Sequence, residues 1–131
     1  MLSYTPSKMV SMFLQILNVI KLFHWKTTDY AVHKATDELH SSLSDRIDAF
    51  VEQLMGALNT RINIDKSSVM AYNCSDLNDL LKHIKAFKIY LTNYMAITGI
   101  PPNTQYHLDL ATLRDEMIGI VDKFLYLSSL H

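Results

Sequence analysis

The 131 residues predict an all-α protein: an antiparallel four-helix bundle, one domain over residues 1–131, with a long crossover between the second and third helices. Three observations carry this expectation. Three glycines and three prolines are too few for a turn-rich β protein or a disordered chain. Apolar residues recur every three or four positions through four long stretches. Between the second and third stretches the period is lost for about 16 residues, more than a helical hairpin needs.

The first helix begins at "YTPS", where Thr5 suits the N-cap and Pro6 the first helical position, and it runs to about Lys26. Its apolar run, "MVSMFLQILNVIKLF", is shorter than the roughly 20 residues of a membrane span. Ser11, Gln15, Asn18 and Lys21 mark a narrow polar stripe along it. No small-residue cleavage site follows, so neither a span nor a signal peptide is expected. After "TTDYA", with Thr28 or Asp29 as cap, the second helix turns Leu39, Leu43, Ile47, Phe50, Leu54 and Leu58 inward and ends near Asn59.

Residues 60–75, "TRINIDKSSVMAYNCS", keep no period. The third helix starts after Ser75 and carries Leu77, Leu80, Leu81, Ile84, Phe87, Leu91, Tyr94 and Met95 on one face. Gly99, Pro101 and Pro102 form the stop signal. The fourth helix runs from about Thr104 to the end, with Leu113, Met117, Ile120, Val121 and Phe124 inward. A helix of about 26 residues is about 39 Å long. About 16 extended residues reach about 50 Å, so the middle connection can cross the bundle lengthwise, which is the ferritin-like arrangement. The first and fourth helices hold more apolar surface than one bundle face requires, and such surplus points to other subunits.

The net charge of −1 offers no electrostatic grip on DNA or an anionic membrane. Lys82, Lys85 and Lys88 line up on the third helix but read as a solvated face. The lone cysteine, Cys74, forbids an internal disulfide and fits a reducing, cytoplasmic compartment.

One stretch, "HWKTTDYAVHKATDELHSSLSDRIDAFVEQL", gathers transition-metal donors. His33, Asp37, Ser44, Asp48 and Glu52 follow at spacings of 4, 7, 4 and 4, close to whole helical turns, so they share one flank of the second helix. If the first two helices form a hairpin, His24 lies near His33 and Asp37. Asp37 and Asp48 are about 16 Å apart along the axis, whereas ligands of one ion lie within about 2–2.6 Å of it. One chain therefore cannot close a site from both groups. Two copies of the second helix crossing head to tail can: Asp37 with Asp48, and His33 with Glu52, share one midpoint, between Ser42 and Leu43. Such an isologous dimer has two identical sites. The alternative from spacing alone is a solvated acidic face beside Lys34 and Arg46.

"KLFHW", Lys21 to Trp25, followed by His33, Asp37, Asp48 and Glu52, resembles the Dps mini-ferritins. That family is similar in its K-x-x-H-W at the end of the first helix, a second histidine, an Asp four residues on, and D-x-x-x-E eleven residues after that Asp. The resemblance implies a ferroxidase centre across a dimer two-fold, with iron (Fe2+/Fe3+) as the metal. His24, His33 and Asp37 would serve from one subunit, Asp48 and Glu52 from its mate, and Lys21 and Trp25 would sit beside the site. It also implies a homo-oligomer; twelve subunits is the family habit. The connection from His24 to His33 is shorter than in typical members, and the basic tail that some members use for DNA is absent.

A ferritin-type di-iron centre draws on Glu-x-x-His motifs, and none occurs among Glu38, Glu52 and Glu116. Asp79 and His83, four apart on the third helix, are too few for a site of their own. His40 reads as a hydrogen-bonded interior histidine, the methionines as gap fillers, and His107 and His131 as unassigned. Two functions follow: iron binding with oxidation of Fe(II) and storage or detoxification, or a non-catalytic ferritin-like subunit of an assembly.

Overall fold

The computed structural model describes residues 3–64, 69–94 and 96–130. It holds four helices: α1 (Pro6–Lys26), α2 (Tyr30–Leu58), α3 (Leu77–Thr92) and α4 (Gln105–Ser128). Among the described residues there is no strand, only an isolated bridge between Ile97 and Ile100. Met95 and His131 lie outside the described residues, as does part of the middle connection. Among the described residues no helix is long and apolar enough to cross a membrane.

Three of the four helix starts follow side-chain chemistry at the N-cap. Asp29 accepts from the Val32 N–H, Asp76 from the Asp79 N–H and Thr104 from the His107 N–H, each satisfying an otherwise orphaned donor. Thr5 precedes Pro6 without a side-chain bond, and the proline supplies the preset φ instead. α2 stops at Asn59, which sits in the left-handed region at φ 54° and returns its N–H to the last turn.

α3 ends earlier than its apolar period predicts. Tyr94, expected on the helix face, is buried beyond its end. The Thr92 hydroxyl donates back to Lys88 O, and Asn93 Nδ2 donates to Ile89 O, so side chains compete with the backbone ladder. Arg114 of α4 then closes the terminus, donating from Nη1 to Leu91 O and Tyr94 O at 3.2 and 3.0 Å. Its guanidinium lies 5.0 Å over the Tyr94 ring. Ser11 also departs from expectation: it is buried rather than on an outer stripe, and its hydroxyl bonds to Ser7 O.

α1 packs on α2 and α3, and α4 packs on the same two helices. Phe13 stands at the centre, edge-on to Phe50 of α2 at 5.2 Å and to Phe87 of α3 at 6.2 Å. Along α2 and α4, Glu38 meets Lys123 and Arg46 meets Glu116. Lys88 of α3 pairs with Asp122 of α4. Two ends of the molecule are tied differently. At one, Lys26 donates to Cys74 O, joining the end of α1 to the segment before α3. At the other, the Tyr4 hydroxyl donates to Tyr90 O and the Tyr90 hydroxyl to Ser3 O. Gly99, at φ 92°, passes close to Leu58 at that end, so a Cβ there meets Leu58 Cδ2 at 3.0 Å. Tyr106, Leu108, Tyr126 and Leu127 are exposed apolar residues of α4, among exposed Asp109, Asp115, Glu116, Asp122 and Lys123.

Phe13 is fully buried and touches two other helices, so Phe13→Ala leaves a cavity at the centre of the bundle. Loss of about 3–5 kcal/mol is expected in urea unfolding followed by far-UV circular dichroism.

Candidate metal centre

The turn between α1 and α2 is only Thr27 to Asp29, so the last turn of one helix lies against the first turns of the other. That short connection still brings His24 and His33 together. Their rings stack at 3.9 Å between centroids, 17° from parallel. His24 Nδ1 lies 2.8 Å from His33 O, and His33 Nδ1 lies 2.9 Å from His24 O. A carbonyl oxygen only accepts, so both Nδ1 atoms carry a proton, and in the neutral ring Nε2 is the nitrogen with the lone pair. His24 is buried and His33 exposed.

Thr36 completes the arrangement. It is fully buried and was not foreseen. Its hydroxyl donates to Val32 O at 2.8 Å and sits 3.2 Å from His24 Nδ1, where it takes a share of that N–H. The position has a sequence signal: a β-branched hydroxyl three residues after a helix-borne histidine, on the side that faces the preceding helix. A metal-binding histidine is ordinarily oriented by such a bond from its other nitrogen. Two imidazole nitrogens are donors of the kind that a divalent transition ion takes.

Asp37 is exposed one turn beyond His33. Lys21 and Trp25 flank His24 on α1. The Lys21 ammonium sits 5.8 Å over the Trp25 ring, and Trp25 is 68% exposed. His40 is half-buried beside this group, not interior as expected. Burial, then the Lys21 ammonium, pushes its pKa below the usual range, while Asp37 pulls the other way. The structure thus gathers Lys21, His24, Asp37 and His40 within electrostatic reach of one another.

Asp48 and Glu52 are exposed on the C-terminal half of α2, away from the imidazoles of their own chain. Among the described residues no three His, Cys, Asp or Glu side chains come together. Asp79 and His83 are 3.9 Å apart, but Asp79 is engaged at the start of α3, accepting from the N–H and hydroxyl of Ser75. The Ser75 N–H is the main reason that its pKa is lowered. His107 stacks on Tyr94, and its Nδ1 and the Tyr94 hydroxyl are buried with no partner in the structure. A cavity of about 120 Å³ lies between α2 and α4, lined by apolar Ala35, Leu39, Ile120 and Phe124 together with Glu38, Ser42 and Lys123.

A family model described as "Family of unknown function (DUF5856)" matches residues 24–127. No curated protein and no solved structure matches the chain.

Two measurements check this geometry. In long-range 15N–1H spectra above neutral pH, His24 and His33 are expected as Nδ1–H tautomers, and an Nε2–H tautomer at either contradicts the reciprocal bonds. His40 is held neutral by its surroundings, so the unfolded chain binds its proton more readily. Stability from this residue is present above the ordinary histidine pKa of 6.5 and is lost as pH falls through the lower folded value. His40→Gln is expected to flatten that part of the stability profile, read as urea midpoint against pH.

Proposed function

We propose that this chain, which belongs to the DUF5856 family of unknown function, is a Dps-like iron-binding protein that oxidises Fe(II) at a site shared across a two-fold dimer. The single observation that carries the reading is the stacked His24–His33 pair, each ring anchored through Nδ1 with its Nε2 lone pair free. The bundle is antiparallel and ferritin-like. This is supported by the packing of α1 and α4 on α2 and α3 and by the opposite running of their contacts, Glu38 with Lys123 and Arg46 with Glu116. α2 ends beside Gly99, at the Tyr4 end of the molecule, whereas α3 begins beside Lys26. The connection between them thus runs the length of the bundle.

His24 and His33 supply nitrogen, and Asp37 carboxylate, from one chain. Asp48 and Glu52 supply carboxylate from the other, with Glu52 or Asp48 as the bridging group. Two Fe(II) ions each give up one electron, and hydrogen peroxide takes both and leaves two hydroxide ions. Dioxygen is the other oxidant of this class. The carboxylates favour the higher charge of Fe(III), which drives the step. Trp25 and Lys21 stand beside the reacting centre. Storage or detoxification follows where subunits close a shell. The exposed apolar residues of α4 favour assembly, and they support the second reading: a non-catalytic ferritin-like subunit.

Complementation between two inactive chains separates these readings. His33→Ala and the double variant Asp48→Ala, Glu52→Ala are each expected to lose the rapid ferric absorbance rise when peroxide follows anaerobic Fe(II). Mixed after unfolding and refolding, they recover roughly a quarter of wild-type sites, because half of randomly paired dimers are mixed and each has one intact site. No recovery overturns the shared site. Absence of Fe(II) binding in the wild type leaves the structural subunit.

A further inference from the structure

We infer that closure of the α2 seam is controlled by the cation itself: the chain dimerises when a divalent transition metal binds and separates when it is removed. The inference rests on the shared site proposed above and concerns its regulation. The midpoint shared by Asp37 with Asp48 and His33 with Glu52 is also shared by Ser41 with Ser44 and by Tyr30 with Met55. The last pair is new from the structure. Tyr30 is 65% exposed at the start of α2, with the Lys34 ammonium 5.8 Å over its ring. Two copies meeting head to tail thus place an aromatic ring on a thioether at each end, small hydroxyl residues at the middle, and the metal donors between.

The charge along that seam opposes closure. Each half-site sets Asp37 of one copy against Asp48 and Glu52 of the other, three carboxylates around two imidazoles. The cations nearby are few. Arg46 is already paired with Glu116 of α4, and Lys123 with Glu38. That leaves two cations for three carboxylates: Lys21 of α1, over Trp25 and within electrostatic reach of Asp37, and Lys34 beside Tyr30. Like charges meeting at a desolvating interface destabilise it, and Tyr30 with Met55 is a small apolar contact to set against them. A divalent ion reverses the sign of the interaction, because it binds donors of both copies at once. The separated chain holds no group of three donors among the described residues, so the ion prefers the dimer. With two such sites, metal at 100 times its dissociation constant raises dimerisation by about 10⁴-fold.

The test is the mass of the full-length chain by sedimentation velocity, in EDTA and in Co(II), which binds like Fe(II) without oxidising. Wild type is expected as monomer in EDTA and as dimer, or a multiple of it, in Co(II), with visible cobalt absorption appearing in step with the mass. Asp37→Asn removes the opposing charge at the centre of each half-site, so it is expected to dimerise in EDTA and to gain little from cobalt. A wild-type dimer of equal stability with and without metal overturns the inference. If that dimer still binds cobalt through His33 and Asp48, the shared site stands. A chain that gives no cobalt spectrum in any state of association removes the site and the inference together.

Discussion

The two reciprocal bonds between imidazole Nδ1–H groups and backbone carbonyls are the interaction on which the site depends. They cross the α1–α2 turn, so they serve two ends at once. The carbonyl of His24 belongs to the last turn of α1, where no helical N–H remains to satisfy it. His33 Nδ1 supplies that bond. In return, His24 Nδ1 donates to His33 O and the ring is buried against Thr36. Each histidine is thus a structural part of the hairpin through Nδ1, and the two reciprocal bonds hold the rings nearly parallel at 3.9 Å.

Much of this was legible in the residues. The helix starts were readable because Asp29, Thr104 and Pro6 are local devices whose effect does not depend on the rest of the fold. The meeting of His24 with His33 followed from hairpin arithmetic. The end of α3 was not readable from the apolar period, because Tyr94 continues that period while leaving the helix. The Thr92 and Asn93 side chains bond back into the last turn, and Arg114, twenty residues on in sequence, takes up Tyr94 O. Likewise His40 looked interior by helical position, but the end of α1 leaves room there for Lys21 and for solvent. Thr36 breaks the apolar period as a small polar residue, so its signal was its place three residues after His33, and its contact with His24 gives it a role.

The same helix geometry that separates Asp37 from Asp48 also makes the two half-sets rigid with respect to each other. They stand on one uninterrupted helix of 29 residues, in which no glycine or proline lies between them. A loop-borne carboxylate could swing towards the imidazoles of its own chain; Asp48 and Glu52 cannot. Their exposure therefore has two physical outcomes, solvation or a partner, and intramolecular rescue is not one of them.

Packing decides which face of α2 is left to make that choice. α2 lies against α1 on one side and α4 on the other, while α3 takes its place beside those same two helices. The inward stripe from Leu39 to Leu54 fills the core, Glu38 and Arg46 reach Lys123 and Glu116 of α4, and Thr36 lies under His24 of α1. The flank carrying His33, Asp37, Ser44, Asp48 and Glu52 is what remains. A connection that put α3 beside α2 would compete for this flank. α3 packs instead on α1 and α4, so the flank of α2 that carries Asp37, Asp48 and Glu52 stays exposed.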